Sequence, residues 1–351
     1  MGNHKEGRTT VYNAITSEEK LKQANEENLQ LEEDFIEYLE SIDRSKGTIK
    51  QYRANLHIFW CWNLEFNKNK FFVDLTKREI AKFQNHALNV WEWSPRRIRT
   101  VKATISSLSN FIETILDDEY EGYKPIVRKI ESPADEAIRE KAIFDNDDIQ
   151  PLLDKLIEKE QYMKACFLAL ALYSGRRKAE LTRFKVSYFQ EENLICGGAL
   201  YKTPEKMVTK GRGQRGKLLD VYILAKQFKP YFDYWMAERK ELGIESDWLF
   251  PKFKDGEWID EHIDISTIDS WSRTFTNMLG RPFYPHALRH AFCTNLLEQN
   301  LPESVVQTII GWSSSDMVRL YDDRTADSQL EKYFGEDGIK QVEKKGLSDL
   351  K

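Results

Sequence analysis

Along the first third of the chain, apolar residues recur every three to four positions, the period of a helix that buries one face. Leu31, Phe35, Leu39 and Ile42 form one such stripe, closed by polar residues and Gly47. Tyr52, Leu56, Phe59 and Trp60 mark a second helix over 48–66, and 74–90 reads as a third, with TKREI in its first turn. The fourth opens on Ser94 as N-cap and Pro95 at the first helical position. It then carries Ile98, Val101, Ile105, Leu108, Phe111, Ile112 and Ile115 on one face. Four helices on short loops predict a small bundle over residues 29–120. Before it, residues 1–28 are polar and are expected to be a flexible or partly helical extension. After it, residues 121–143 are charged, contain two prolines and have no strong apolar period, which predicts a linker.

The pattern changes beyond residue 144. Residues 145–157 have acidic residues in a helical first turn, and 162–173 are apolar all round, as a fully buried helix would be. After the turn Ser174-Gly175, three β-like segments follow at 194–196, 206–210 and 218–223, with the basic, glycine-rich tip GRGQRG between the last two. Helical patterns resume over 225–242 and continue to the end. The expectation is a mainly α protein with a small β-sheet, in two domains, the second spanning 144–351. No internal repeat is evident.

Composition narrows the class. In 351 residues, 41% hydrophobic content and nine Trp exclude wholesale disorder. The longest apolar run, 165–173, is too short to cross a bilayer, so no membrane partner is expected. The opening MGNHKEGRTT has no apolar signal region, and Glu6 stands where myristoylation needs Ser or Thr. Cys61, Cys166, Cys196 and Cys293 are scattered without a CxxC pair, the usage of reduced thiols in a cytoplasmic protein. A net charge of −5 argues at first against a nucleic-acid partner. The distribution of that charge argues the other way. Residues 46–130 hold 15 Lys and Arg against nine Asp and Glu, and residues 174–217 hold 11 against four, while the first 45 are acidic. Two basic blocks in an acidic chain are the footprint of a surface that binds a phosphate backbone. In the bundle the cations gather at Lys46, Lys50 and Arg53 and again at Arg96, Arg97, Arg99 and Lys102, near predicted helix starts.

The densest chemistry lies at 285–323, PHALRHAFCTNLLEQNLPESVVQTIIGWSSSDMVRLYDD. A helix would put His286, Arg289 and His290 on one face. Trp312 adds an indole N–H and Tyr321 a phenol. His286 and His290 at i, i+4 also have a zinc spacing, but Ala287 replaces the Glu of HExxH and no third ligand is evident, so no metal is expected. No P-loop occurs, since GRGQRG lacks the GK[ST] ending.

Taken in order, SGRRKAEL at 174–181, the basic hairpin around TKGRG at 209–213, HALRH at 286–290, Gly311-Trp312 and Tyr321 resemble the tyrosine recombinase (phage integrase) family. Each motif alone is weak; the ordered set at this spacing is specific. Ser174 replaces the usual Thr, and Trp312 takes a position that His often holds. The resemblance covers roughly residues 29–345 and implies a helical core-binding domain and a catalytic domain forming a C-shaped clamp on duplex DNA. It implies no cofactor, a synaptic homotetramer on recombination sites, and a terminal helix docked on a neighbouring subunit. Leu330, Tyr333, Phe334, Ile339 and Val342 supply an apolar stripe for such a helix.

The implied roles suit the chemistry. Phosphodiester displacement develops charge on the non-bridging oxygens, and guanidinium groups answer it with bidentate hydrogen bonds. Arg177, preferred by register to Arg176, and Arg289 would take that role, with Glu180 holding Arg177 and His290 supporting the site from behind. Tyr321 would be the nucleophile. A free phenol, with a pKa of ~10, needs a base and nearby cations, and His286 is the candidate base. Trp312 would donate to a phosphate oxygen. Lys210 on the hairpin would protonate the leaving 5′ oxygen, with Lys206 and Lys217 as neighbouring alternatives, and Arg212 and Arg215 would contact DNA. Two rivals stand beside this reading: a type IB topoisomerase with a similar residue set, and a recombinase-fold repressor that binds DNA without cutting it.

Overall fold

The computed structural model describes residues 12, 14–134, 144, 146–209, 216–322, 334–335 and 338–339. The chain divides into two compact units, Met1–Glu140 and, apart from the tip Lys210–Gly216, Lys141–Lys351.

The first unit is built from α1 (Glu18–Gln23), α2 (Glu26–Ser41), α3 (Lys46–Phe66), α4 (Lys77–Asn89) and α5 (Pro95–Ile115). Local chemistry sets the helix starts. Ser45 accepts the Thr48 N–H at the head of α3, and Ser94 with Pro95 begins α5. The third helix starts at Lys77 rather than 74, because Glu79 accepts the Thr76 N–H at 2.9 Å and fixes the cap there; Phe72–Asp74 form a 3-10 turn instead. The apolar stripes meet in one core of Phe35, Phe59, Trp60, Phe72, Phe83, Ile98, Ile105 and Ile112.

Three expectations need correction here. The extension is not free of the bundle: Ile15 and Ala24 are buried in its core, and Tyr12 Oη lies 3.0 Å from His57 Nδ1. The linker begins late, because Ile126 and Val127 are buried in the same core. Lys102 is no surface cation. Only 4% exposed, it donates to Gln84 Oε1, Ser132 Oγ and the carbonyls of Ile130 and Glu131, so it ties the segment after α5 to the helices. Its neighbours are also engaged. Arg97 donates to Asn55 Oδ1 and lies over the Trp93 ring, Arg99 donates to the Pro133 carbonyl, and Arg53 is paired with Glu33. Lys46, Lys50 and Arg96 are exposed.

The second unit surrounds α7 (Tyr162–Ser174), in which every residue from Ala165 onward is buried. Packed on it are α6 (Asn146–Glu158), α9 (Ala225–Glu241) and α11 (Pro285–Glu298). The short α8 (Lys178–Leu181) follows α7, and α10 (Ile265–Leu279) precedes α11. Strands β1 (Leu194–Ile195), β2 (Leu200–Lys202) and β5 (Tyr222–Leu224) form an antiparallel sheet, and β3 (Met207–Thr209) pairs with β4 (Lys217–Leu219) as a separate hairpin. A further hairpin, β6 (Pro251–Lys254) with β7 (Glu257–His262), and strand β2 were not anticipated, since three to six residues leave too short a period to read. A satellite core joins α11 to α12 (Glu303–Ile310) and α13 (Asp316–Tyr321).

Of the expected terminal helix, residues 334, 335, 338 and 339 are described, and they pair as a tight hairpin, β8 (Phe334–Gly335) with β9 (Gly338–Ile339). The rest of the stripe lies outside the described residues. Among the described residues no helix is long and apolar enough to cross a membrane.

The buried position of Lys102 makes a prediction. Lys102→Met removes the four hydrogen bonds made by this buried cation and should destabilise the first unit by about 2 kcal/mol, read as a lower urea midpoint. An unchanged midpoint would restore Lys102 to the DNA-facing set.

Candidate active site

Four chain segments of the second unit converge. The first is the C-terminal turn of α7. Gly175 caps that helix at φ 59°, and a Cβ there would lie 2.5 Å from Phe292, so only glycine fits. The turn presents Arg176 and Arg177 in succession with opposite fates. Arg177 is half-buried and held twice by Glu180, whose carboxylate takes the guanidinium at 3.0 Å and the Arg177 backbone N–H at 3.3 Å. Glu180 itself is 2% exposed. Arg176 is fully buried and turns inward, donating to the Ser174 and Ile309 carbonyls.

The second segment is the start of α11, where Pro285 fixes the first turn. His286 stands in that turn, and Arg289 one turn later is completely buried. Arg289 donates to the Gly175 carbonyl at 2.7 Å and to Ile310 at 3.4 Å. The third segment is the end of α12. Gly311 adopts φ 77°, and a Cβ there would meet Leu219 of β4 at 2.7 Å and Arg176 Nη1 at 3.4 Å. That close turn delivers Trp312. The fourth is α13, whose last residue is Tyr321.

Around Tyr321 the geometry is tight. Its Oη lies 2.7 Å from His286 Nε2. Its ring stacks on His290 at 4.1 Å and packs on Trp312 at 4.7 Å. The Arg289 guanidinium carbon sits 5.0 Å from the Trp312 ring centre and 6.0 Å from that of Tyr321. Trp312 Nε1 and Arg289 Nε are buried donors with no acceptor among the described residues.

Like charges crowd this site. Burial, reinforced by Arg177 and Arg176, pushes the Arg289 guanidinium down to about 9. Burial pulls Arg176 down to about 10, with Glu180 opposing and Arg177 assisting. In both groups the protonated form is less favoured than in the unfolded chain. Unless an anion relieves it, keeping them charged therefore costs stability at any pH below these values, and that cost lessens as pH rises through them. Three guanidiniums, one carboxylate and the N-terminus of a 14-residue helix define a site short of negative charge.

Comparison with known proteins identifies the family. Residues 142–327 match the phage integrase family, and residues 31–122 match the phage integrase N-terminal SAM-like domain. The chain belongs to the phage integrase family. It is a tyrosine recombinase. Among its relatives, it is 28% identical over 290 residues to the SPbeta prophage-derived recombinase-like protein YomM of Bacillus subtilis (strain 168), covering 80% of this chain and 82% of that one. It is 22% identical over 295 residues to the TnP I resolvase of Bacillus thuringiensis, covering 82% and 93%. The fold is similar to that of the XerH site-specific recombinase bound to palindromic difH substrate in a post-cleavage complex, with TM-score 0.61, 16% identity, and 81% and 78% of the two chains covered. It is also similar to a lambda integrase (75–356) dimer bound to a COC′ core site, with TM-score 0.58, 16% identity, and 85% and 95% covered.

In this recombinase the structure brings Arg177, Glu180, His286, Arg289, His290, Trp312 and Tyr321 together within one unit. Lys210, Arg212 and Arg215 lie outside the described residues. Of the two alternatives to Lys210, Lys217 opens β4 and Lys206 precedes β3. Sequence reasoning passed over Arg176 as a mere neighbour of Arg177; the adjacent pair of arginines after a glycine turn was the available signal. It also missed Arg183, which donates to the Ala179 carbonyl and to Val208 in β3, tying the hairpin to the segment that carries Arg177. Among the described residues no group of three His, Cys, Asp or Glu is placed to hold a metal ion.

The unmet positive charge predicts anion stabilisation. Inorganic phosphate at about ten times its Kd should raise Tm by about 3–6 °C over chloride at equal ionic strength. Arg177→Ala should diminish the shift. Equal Tm values in the two salts would contradict the site's assignment to an anion.

Proposed function

We propose that this recombinase cuts and rejoins duplex DNA through a 3′-phosphotyrosyl intermediate formed on Tyr321, exchanging strands between two sites in a homotetramer without nucleotide or metal cofactor. The observation that carries this reading is the 2.7 Å contact between Tyr321 Oη and His286 Nε2, set against two arginines in the same unit.

The scissile phosphate would enter with its non-bridging oxygens toward Arg177, Arg289, Trp312 Nε1 and the start of α11. As Tyr321 Oη attacks phosphorus, its proton passes to His286, and the bond to O5′ breaks. The leaving O5′ takes a proton from the hairpin lysine, which the family register assigns to Lys210. A 5′-hydroxyl from the partner duplex then attacks the phosphotyrosyl bond, returns Tyr321 to its phenol and forms the new phosphodiester. The phosphotyrosyl ester conserves the energy of the broken bond, which is why no energy-rich cofactor is needed. Glu180 keeps Arg177 from collapsing onto other acceptors, and His290 holds the Tyr321 ring from its face. Because His286 and Tyr321 come from one chain, each protomer would cut with its own tyrosine.

The DNA would be held mainly through its backbone. We assign the first unit, whose core reaches from Ile15 to Val127, as the DNA-binding core domain and the second unit as the catalytic domain, with Lys46, Lys50 and Arg96 as the cations still exposed for phosphate contact. Such binding weakens steeply with salt.

The test is Tyr321→Phe on a nicked suicide substrate bearing the recombinase's own site. Covalent adducts should vanish while DNA Kd stays within about twofold, and Arg177→Ala should slow adduct formation by about 100-fold or more. Adducts persisting in Tyr321→Phe would sink the assignment.

A further inference from the structure

We propose that Arg176, which contacts neither substrate nor nucleophile, is a positioning residue for this reaction: it locks the ends of two helices together so that Trp312 and Tyr321 are held in register with Arg177. The inference rests on the proposed roles of those residues but reaches a residue to which that reading gives no task.

The last carbonyls of an α-helix have no partner within the helix and carry the negative end of its dipole. Helices α7 and α12 end beside one another, at Ser174 and Ile310. Arg176 Nε donates to the Ser174 carbonyl at 3.3 Å, and its Nη2 donates to the Ile309 carbonyl. Arg289 bridges the same two ends through Gly175 and Ile310. Two planar guanidiniums thus cross-brace one pair of helix C-termini, and only a forked donor spans both with a single side chain.

What lies beyond each brace is the site. Arg177 follows Arg176 directly. On the other strand of the brace, Gly311, Trp312 and α13 follow Ile310 and lead to Tyr321. Gly311 is a direct neighbour of Arg176, since a Cβ there would lie 3.4 Å from Nη1. Arg176 is 1% exposed and both its Nε and its Nη2 donate to backbone carbonyls, whereas the equally buried Arg289 keeps an Nε with no acceptor among the described residues. A buried cation bonded in this way serves to place that backbone. With Arg176 gone, only Arg289 would still tie the end of α12 to the end of α7 by hydrogen bonds, and Trp312 and Tyr321 would shift or fluctuate against Arg177. A misplacement of about 1 Å typically costs about 100-fold in rate.

The experiment compares full-length wild type with Arg176→Met and Arg176→Lys. Two readouts are taken: adduct formation at saturating suicide substrate with DNA Kd measured in parallel, and amide hydrogen exchange of peptides covering 303–322. Arg176→Met should form adducts about 100-fold more slowly with Kd within about threefold, and should exchange faster in that segment alone. Arg176→Lys keeps the charge and reaches one carbonyl, so it should recover about tenfold of the loss. Wild-type rate and exchange in Arg176→Met would overturn the inference. Should Arg176→Met fail to fold, Arg176→Lys decides: a slowed rate with local exchange supports the brace, and wild-type behaviour in both overturns it. Exchange does not depend on the chemistry, so if Tyr321→Phe showed the proposed mechanism to be wrong, faster exchange confined to 303–322 would still support the brace and unchanged exchange would refute it.

Discussion

The site depends on a junction where two helix C-termini meet and are held by buried arginines. Ser174 and Gly175 on one side, and Ile309 and Ile310 on the other, offer carbonyls that no helix can satisfy. Arg176 and Arg289 satisfy them, and the partial negative charge of both helix ends offsets part of the cost of burying two cations. The offset is incomplete, as the lowered affinity of Arg289 for its proton indicates. The remainder is a standing demand for an anion, which the phosphodiester of the proposed reaction would meet. Pre-organised charge of this kind costs stability in the free protein and returns it when charge develops in the transition state.

Glycine makes the junction possible. Gly175 and Gly311 both take left-handed conformations, and each is pressed by a neighbour, Phe292 or Leu219, that leaves no room for a side chain. One turn releases the arginine segment, and the other releases the tryptophan and the tyrosine. Leu219 belongs to β4, so the base of the basic hairpin packs on the same turn, while Arg183 grips its other strand at Val208.

How much of this could be read from the chain follows from where each signal resides. The long helices of the first unit were legible because their stripes and caps are local, as Ser94-Pro95 at the head of α5 illustrates. The site residues were legible as an ordered set of motifs, and their meeting in space follows from α7 and α11 packing together. The cations were not legible in the same way. Lys102 and Arg96 look alike in sequence, and only the fold sends one inward to the carbonyls of 130 and 131 while leaving the other in solvent. Arg176 and Arg177 are likewise adjacent and chemically identical, and the direction of one turn separates a brace from a candidate phosphate ligand. Short strands such as β2 carry no period and become strands only through their partners.

The central claim is that Tyr321, activated by its own chain's His286, takes the phosphate. Trapping the adduct on a suicide substrate, digesting it and sequencing the modified peptide by mass spectrometry tests this most directly. The predicted products are a nucleotide 3′-phosphate on the peptide containing Tyr321 and a free 5′-hydroxyl on the released strand. Attachment to any other residue, or a linkage through the 5′-phosphate, would contradict the claim.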